Sequence, residues 1–160
     1  MRIGIGYDIH PLGPHRKLIL GGVEIPHRLG LVGHSDADAL LHAICDALLG
    51  AMSEGDLGKH FPSSDPRYKD IPSAKLLEDV AGKLTKKGYR LANLDTIIIA
   101  QAPRLGPHLA AMQARIAEIL KVDRSLVNVK VKSGEGFDAI GREEAIATQA
   151  VCLIERLKRS

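Results

Sequence analysis

The chain has 160 residues, 45% of them apolar and 26% charged. That length suits one domain spanning residues 1–160, and the apolar content suits a folded globular protein and not a disordered tail. Against 19 Asp and Glu stand 22 Lys and Arg, so the net charge is +3, too small to imply a nucleic-acid partner. Two Phe, three Tyr and no Trp argue against a base-stacking platform and require an aliphatic core.

Ile3, Ile5 and Tyr7 alternate with Gly4, Gly6 and Asp8, which predicts a strand whose glycines allow a close backbone approach. The chain enters this pattern directly, and no apolar run reaches the ~18 residues of a membrane span. A cytoplasmic protein without a membrane partner is expected. Leu18-Ile19-Leu20, Gly21-Gly22 and Val23-Glu24-Ile25 predict a small hairpin. Ser35, with Asp36 and Asp38 behind it, predicts the capped start of a helix running to about Met52. Residues 53–72 carry no sustained period, and a connection of about 20 residues is unusual unless functional or mobile.

Ser73 is expected to cap a second helix that Gly88 ends. Asp95 to Ala100 reads as a central strand buried on both faces. Pro107 stands near the start of a third helix. Val127, Val129 and Val131 alternate with polar residues in a half-buried strand, followed by a glycine-bearing loop from Ser133 to Gly141. Glu144 to Arg156 reads as strand by alternation and as helix by composition. The fold class is α/β or α+β with mixed strands and three main helices. Cys45 and Cys152, without CxxC spacing, are expected as buried free thiols in a reducing compartment.

Several groups could carry chemistry. Asp8 and His10, two apart on a strand, point the same way, and His42 on a helix could join them. Two imidazoles and a carboxylate leave a fourth zinc position open, as a catalytic site requires. The spacing alone also fits a polar strand end with no ligand. Asp38 and Asp46 each lie one helical turn from His42, and either could accept its second ring N–H; equally, both could be solvated. His34 and Ser35 at a helix start suit a phosphate, although Ser35 also suits a plain cap. In the loop Lys132 to Arg142, glycines admit an anion while Lys132, Ser133 and Arg142 can bond phosphate oxygens. Glu135 there is a candidate ligand for a divalent ion bridging phosphates. An ordinary turn is the alternative. Ala100 to Gly106 leaves a strand and enters a helix, where α/β folds tend to bind ligands.

Taken together, Arg2-Ile-Gly-Ile-Gly-Tyr-Asp-Ile-His10, Gly21-Gly-Val-Glu-Ile-Pro26, Gly33-His-Ser-Asp-Ala-Asp38, Leu41-His42-Ala43, Asp46-Ala-Leu-Leu-Gly50, Gly55-Asp-Leu-Gly58, Phe61-Pro62, Asp65-Pro66, Ile98-Ile-Ala-Gln-Ala-Pro103 and Val127-Asn-Val-Lys130 resemble the 2-C-methyl-D-erythritol 2,4-cyclodiphosphate synthase family over essentially the whole chain. The resemblance implies a lyase of non-mevalonate isoprenoid synthesis. Its substrate is 4-diphosphocytidyl-2-C-methyl-D-erythritol 2-phosphate, its products the cyclic diphosphate and CMP. It implies a homotrimer with sites at the subunit interfaces, and a four-stranded mixed sheet with helices on one face plus a small hairpin. The last segment would then be a strand.

By the same match, Asp8, His10 and His42 would bind Zn²⁺. Glu135 would hold Mg²⁺ or Mn²⁺ with the substrate phosphates. Substrate contacts would come from Asp8, His10, His34, Ser35, Asp56, Leu57, Gly58, a flap of Phe61, Pro62, Ser63, Ser64 and Asp65, a cytosine pocket of Ala100, Gln101, Ala102, Pro103, Arg104, Leu105 and Gly106, and the phosphate grip of Lys132, Ser133, Gly134 and Glu135. His34 and Ser133 would stabilise the transition state. Ala139, Arg142 and Gln149 would line the trimer's central cavity. Lys132-Ser133 stands where the family usually has Thr-Thr, Arg104 for its Lys, Ala139 for a frequent Phe and Gln149 for a frequent Glu. Two other classes compete with this reading: a metal-dependent phosphohydrolase and a non-catalytic trimeric module that binds nucleotide or isoprenoid.

Overall fold

The computed structural model describes residues 1–157. In chain order the strands are β1 (Arg2–Gly13), β2 (Leu18–Leu20), β3 (Val23–Ile25), β4 (Gly30–Leu31), β5 (Tyr89–Ile99), β6 (Val127–Lys132) and β7 (Ala145–Arg156). The helices are α1 (Ala39–Ala51), α2 (Leu57–His60), α3 (Ser73–Lys86), α4 (Leu109–Leu120) and α5 (Asp138–Gly141). The main sheet is mixed, in the order β4-β1-β7-β5-β6, and β2-β3 forms the separate hairpin. The expected four strands are thus five, because the two-residue β4 pairs with the end of β1. Only β5 and β6 run parallel.

Glycine decides how α1 docks. A Cβ on Gly4 would stand 1.9 Å from the Ala47 carbonyl oxygen, and one on Gly6 1.9 Å from that of Ala43. Only bare backbone lets β1 lie this close to the helix. The apolar residues that alternate with those glycines therefore face away from α1: Ile3 and Ile5 are 71% and 70% exposed. On the helix side, Leu40, Leu41, Ile44 and Leu48 pack with Ile146, Ala150, Cys152 and Ile154 of β7 in one aliphatic core. Cys45 and Cys152 are free and buried in it.

Three local expectations are corrected. Helix α1 starts at Ala39 with Asp38 as its cap, not Ser35; the Asp38 carboxylate accepts from Leu41 N. Ser35 instead accepts from Ala37 N inside the preceding loop. Pro72, not Ser73, occupies the cap position of α3, and no side chain caps that helix. Strand β5 begins earlier than expected, at Tyr89, and is not buried on both faces: Leu94, Thr96 and Ile98 are buried while Ile97 and Ile99 are half-buried. One helix layer covers one side only, so alternation survives even in this strand.

The other elements follow the sequence pattern. Gly21 and Gly22 both adopt positive φ, 60° and 72°, in the two-residue hairpin turn. The ambiguous last segment is strand β7, paired along its length with β1 and β5. The long connection after α1 holds only α2 and a 3₁₀ turn at Pro66–Tyr68. Among the described residues, no helix is long and apolar enough to cross a membrane.

Candidate metal centre and active site

Strand β1 presents Asp8 and His10 on one face, and α1 brings His42 opposite them. Asp8 Oδ2 lies 2.9 Å from His10 Nε2 and 2.9 Å from His42 Nδ1, and the two nitrogens are 3.3 Å apart. Zinc bonds of ~2.0–2.1 Å at tetrahedral angles place ligand atoms about 3.3 Å from one another. The three donors therefore already stand near ligand separation, with an open side for a fourth. Among the described residues this is the one group of three or more such side chains whose ligand atoms converge, all within 4.8 Å. The donor set, two imidazoles and a carboxylate, fits zinc with one position left for substrate.

Hydrogen bonding sets which atoms face inward. The Val32 carbonyl, 3.0 Å from His10 Nδ1, can only accept, so Nδ1 donates and Nε2 is the metal-facing atom. Burial lifts the Asp8 carboxyl, but the hydrogen bonds and charges of His10 and His42 outweigh it and hold the group well below the usual carboxylate range. Burial lowers His10, yet its bond to Asp8 prevails and raises it above the ordinary 6.5.

Asp38 and Asp46 do not take the second nitrogen of His42. Asp38, wholly buried, accepts from Gly21 N at 2.9 Å and Gly22 N at 2.6 Å, pinning the hairpin to the start of α1. Burial pushes its carboxyl up to about 6 against those bonds. Asp46 accepts from Leu57 N at 2.7 Å and anchors α2. The ring atom His42 Nε2 meets Ser73 Oγ at 2.8 Å and Ser35 Oγ at 3.1 Å. Helical spacing suggested the two acids; the actual partners are the first residue of α3 and a residue of the loop before α1, which spacing along α1 does not reach.

The remaining candidates form two neighbourhoods. Near the metal cluster, His34 is exposed and Ser35 is buried. Arg16 holds their loop, donating to Leu31 O at 2.8 Å and Ser35 O at 2.7 Å. Nothing in the sequence pattern singled out Arg16. Asp56 caps α2 beside Leu57 and Gly58. Phe61 packs edge-on against Tyr68, Pro62, Ser63 and Ser64 are exposed, and Asp65 is committed to Arg67.

The second neighbourhood lies at the same end of the sheet but farther along it. The loop from Ala100 to Gly106, with a cis bond before Pro103, abuts the Ser133 loop where Gln101 Oε1 accepts from Gly136 N at 3.4 Å. Ser133 donates to Glu135, which is exposed, and Lys132 is exposed. Ala139 is half-buried, and Arg142 is paired with Glu144 at 2.9 Å. Ile9 pairs with Ala147, which pairs with Ile99, which pairs with Lys132. Three strand spacings separate the two neighbourhoods, about 14 Å at ~4.8 Å each.

A converging Asp-His-His group held between a strand and a helix, with glycine-bearing loops at the same end of the sheet, fits an enzyme with a metal-binding triad as the class. The comparisons are specific. Residues 1–155 match the YgbB family. The 2-C-methyl-D-erythritol 2,4-cyclodiphosphate synthase of Syntrophotalea carbinolica is 57% identical over 100% of this chain and 98% of its own. That of Syntrophomonas wolfei subsp. wolfei is 54% identical over 98% of this chain and 99% of its own. A solved Plasmodium falciparum structure, a CDP complex, has a TM-score of 0.87 at 34% identity, covering 98% of this chain and 97% of that one. The chain belongs to the YgbB family of cyclodiphosphate synthases. It carries that enzyme activity, the formation of 2-C-methyl-D-erythritol 2,4-cyclodiphosphate from the cytidylyl 2-phosphate substrate.

Proposed function

We infer that ring closure takes place at the Asp8, His10 and His42 centre, with Zn²⁺ as its ion. The convergence of those three ligand atoms from β1 and α1 carries this reading. Zinc there would polarise a phosphoryl oxygen as a Lewis acid, and Mg²⁺ or Mn²⁺ on Glu135 would neutralise the diphosphate. An oxygen of the 2-phosphate bonds to the β-phosphorus as the bond from that phosphorus to the CMP oxygen breaks; CMP leaves with the electron pair. The nucleophile is part of the substrate, so the protein's task is to fold it in line.

The chain's own residues do that positioning. His34 and Ser35 hold the methylerythritol phosphate end, with Asp56, Leu57 and Gly58 around the polyol and Phe61 to Asp65 as a flap. Ala100 to Gly106 receive the cytosine, while Lys132, Ser133, Gly134 and Glu135 grip the phosphates. His34 and Ser133 stabilise the transition state. The abutment of Gln101 on the Ser133 loop and the CDP complex of the Plasmodium falciparum relative support a nucleotide diphosphate at the second neighbourhood.

With about 14 Å between the two neighbourhoods in one copy, we read each site as completed by a neighbour's loop in a homotrimer. The exposed stripe of Ile3, Ile5, Tyr7, Ile9 and Val151 on the uncovered sheet face supports the same assembly. In it Ala139 and Arg142 border the central cavity. Residues 1–160 act as one domain in the cytoplasm.

The test pairs metal analysis of untreated protein with an assay on the cytidylyl substrate and Mg²⁺. The expected result is zinc in the protein, with CMP and a cyclic diphosphate released together. Inorganic phosphate without CMP would point to a phosphohydrolase, and binding without turnover to a non-catalytic module.

A further inference from the structure

Ser73 was expected to cap a helix, yet its side chain is turned inward and wholly buried. Its Oγ lies 2.8 Å from His42 Nε2 and also bonds Asp36 Oδ1. The Ser73 backbone N–H donates to the other oxygen of the same carboxylate at 3.0 Å, and Asp38 N donates to Oδ1 at 3.2 Å. A chain of contacts thus runs from the carboxylate of Asp36, through one hydroxyl, to the back of a metal-facing imidazole.

We propose that Ser73, oriented by Asp36, is a positioning residue that accepts a hydrogen bond from the Nε2–H of His42 and so directs the Nδ1 lone pair to the metal. An ionised carboxylate only accepts, so the single Ser73 hydroxyl hydrogen is committed to Asp36. What Ser73 offers His42 is therefore a lone pair, and Nε2 must carry the hydrogen between them. A neutral ring with its proton on Nε2 has its lone pair on Nδ1, the atom 2.9 Å from Asp8 Oδ2 and 3.3 Å from His10 Nε2. Ser35 Oγ, 3.1 Å from Nε2, accepts from Ala37 N and lies 3.5 Å from Ser73 Oγ, so it leaves the count for Ser73 unchanged. Ser73 is also the first residue of α3, directly after the long connection. The tie thereby sets the end of that connection against the metal ligand.

This inference rests on the reading of Asp8, His10 and His42 as a zinc site, and the experiment separates the two. Nitrogen-15 NMR of the zinc-loaded wild-type protein reads which His42 nitrogen is ligated. Nδ1 ligation with a slowly exchanging Nε2 proton is expected; Nε2 ligation overturns the proposal without any variant. Zinc affinity is then measured by competition with a chelator for wild type, Ser73→Ala and Ser73→Thr. A loss of about 10–100-fold is expected for Ser73→Ala, the usual effect of removing a ligand's hydrogen-bond partner, with the threonine hydroxyl restoring most of it. A merely structural serine would lower the melting temperature and leave the zinc affinity of folded protein within about twofold of wild type; that result overturns the proposal. Wild-type protein that binds no zinc overturns the metal reading, and this inference with it.

Discussion

Replacing Gly6 by Ala strikes at the contact that builds the metal centre. Gly6 precedes Asp8 by two residues on β1, and its missing side chain faces the carbonyl of Ala43, the neighbour of His42. A Cβ would stand 1.9 Å from that oxygen, where ordinary contact begins near 3.4 Å. Strand and helix must part by about 1.5 Å, the difference between those distances. Overpacking costs about 1–3 kcal/mol, and because the obstructing atoms here are backbone the upper end applies. For a chain of this size that lowers the melting temperature by about 6–12 °C. Metal sites hold ligand distances to about 0.2 Å, so the folded variant should lose zinc as well. Thermal denaturation and zinc content of the folded fraction test both effects. Gly82→Ala, with nothing within 4 Å of the new Cβ, is the control and should gain about 0.5–1 kcal/mol from helix propensity. A Gly6→Ala protein that melts within about 2 °C of wild type and keeps its full zinc would refute the reasoning.

Other perturbations address the site more directly. His42→Ala and Asp8→Ala should each abolish zinc binding and CMP release while far-ultraviolet circular dichroism stays unchanged; retained zinc by elemental analysis contradicts the ligand assignment. Asp38→Ala removes a cap worth about 1 kcal/mol and strands the buried Gly21 and half-buried Gly22 N–H groups at ~1–3 kcal/mol each, so urea denaturation should show a loss of about 3–7 kcal/mol. Acidification should weaken zinc binding, because the metal must displace the His10 Nε2 proton. The signs are these: Asp8, depressed, contributes stability above 3.8 that is lost as pH falls through its low folded value. His10, raised, contributes stability below 6.5 that is lost as pH rises through its folded value. Both are present between 3.8 and 6.5, where the metal-free pair is strongest. Zinc titrations from about pH 8 down to about pH 5.5 should show affinity falling roughly tenfold per unit once His10 is protonated, and a flat profile contradicts the assignment.

The amino-acid sequence determined the period of each element: alternation in β1 and β6, the Gly21-Gly22 turn, the apolar stripe of α1. It also carried the family, because ordered short motifs such as Asp8-Ile-His10 and His34-Ser-Asp-Ala-Asp38 are specific only in combination. Tertiary structure alone decided which polar groups meet. Asp38 and Asp46 sit at helical spacing from His42, yet the first is consumed by backbone N–H groups of the hairpin turn and the second by the N–H that opens α2. The partners of His42 are Ser73 and Ser35, 31 and 7 residues away, and that of His10 is a main-chain carbonyl. Local propensity acts through neighbours along one helix or strand, so it fixes which face a side chain occupies. A hydrogen bond between elements depends instead on how closely they dock, and here two glycines opposite α1 set that distance.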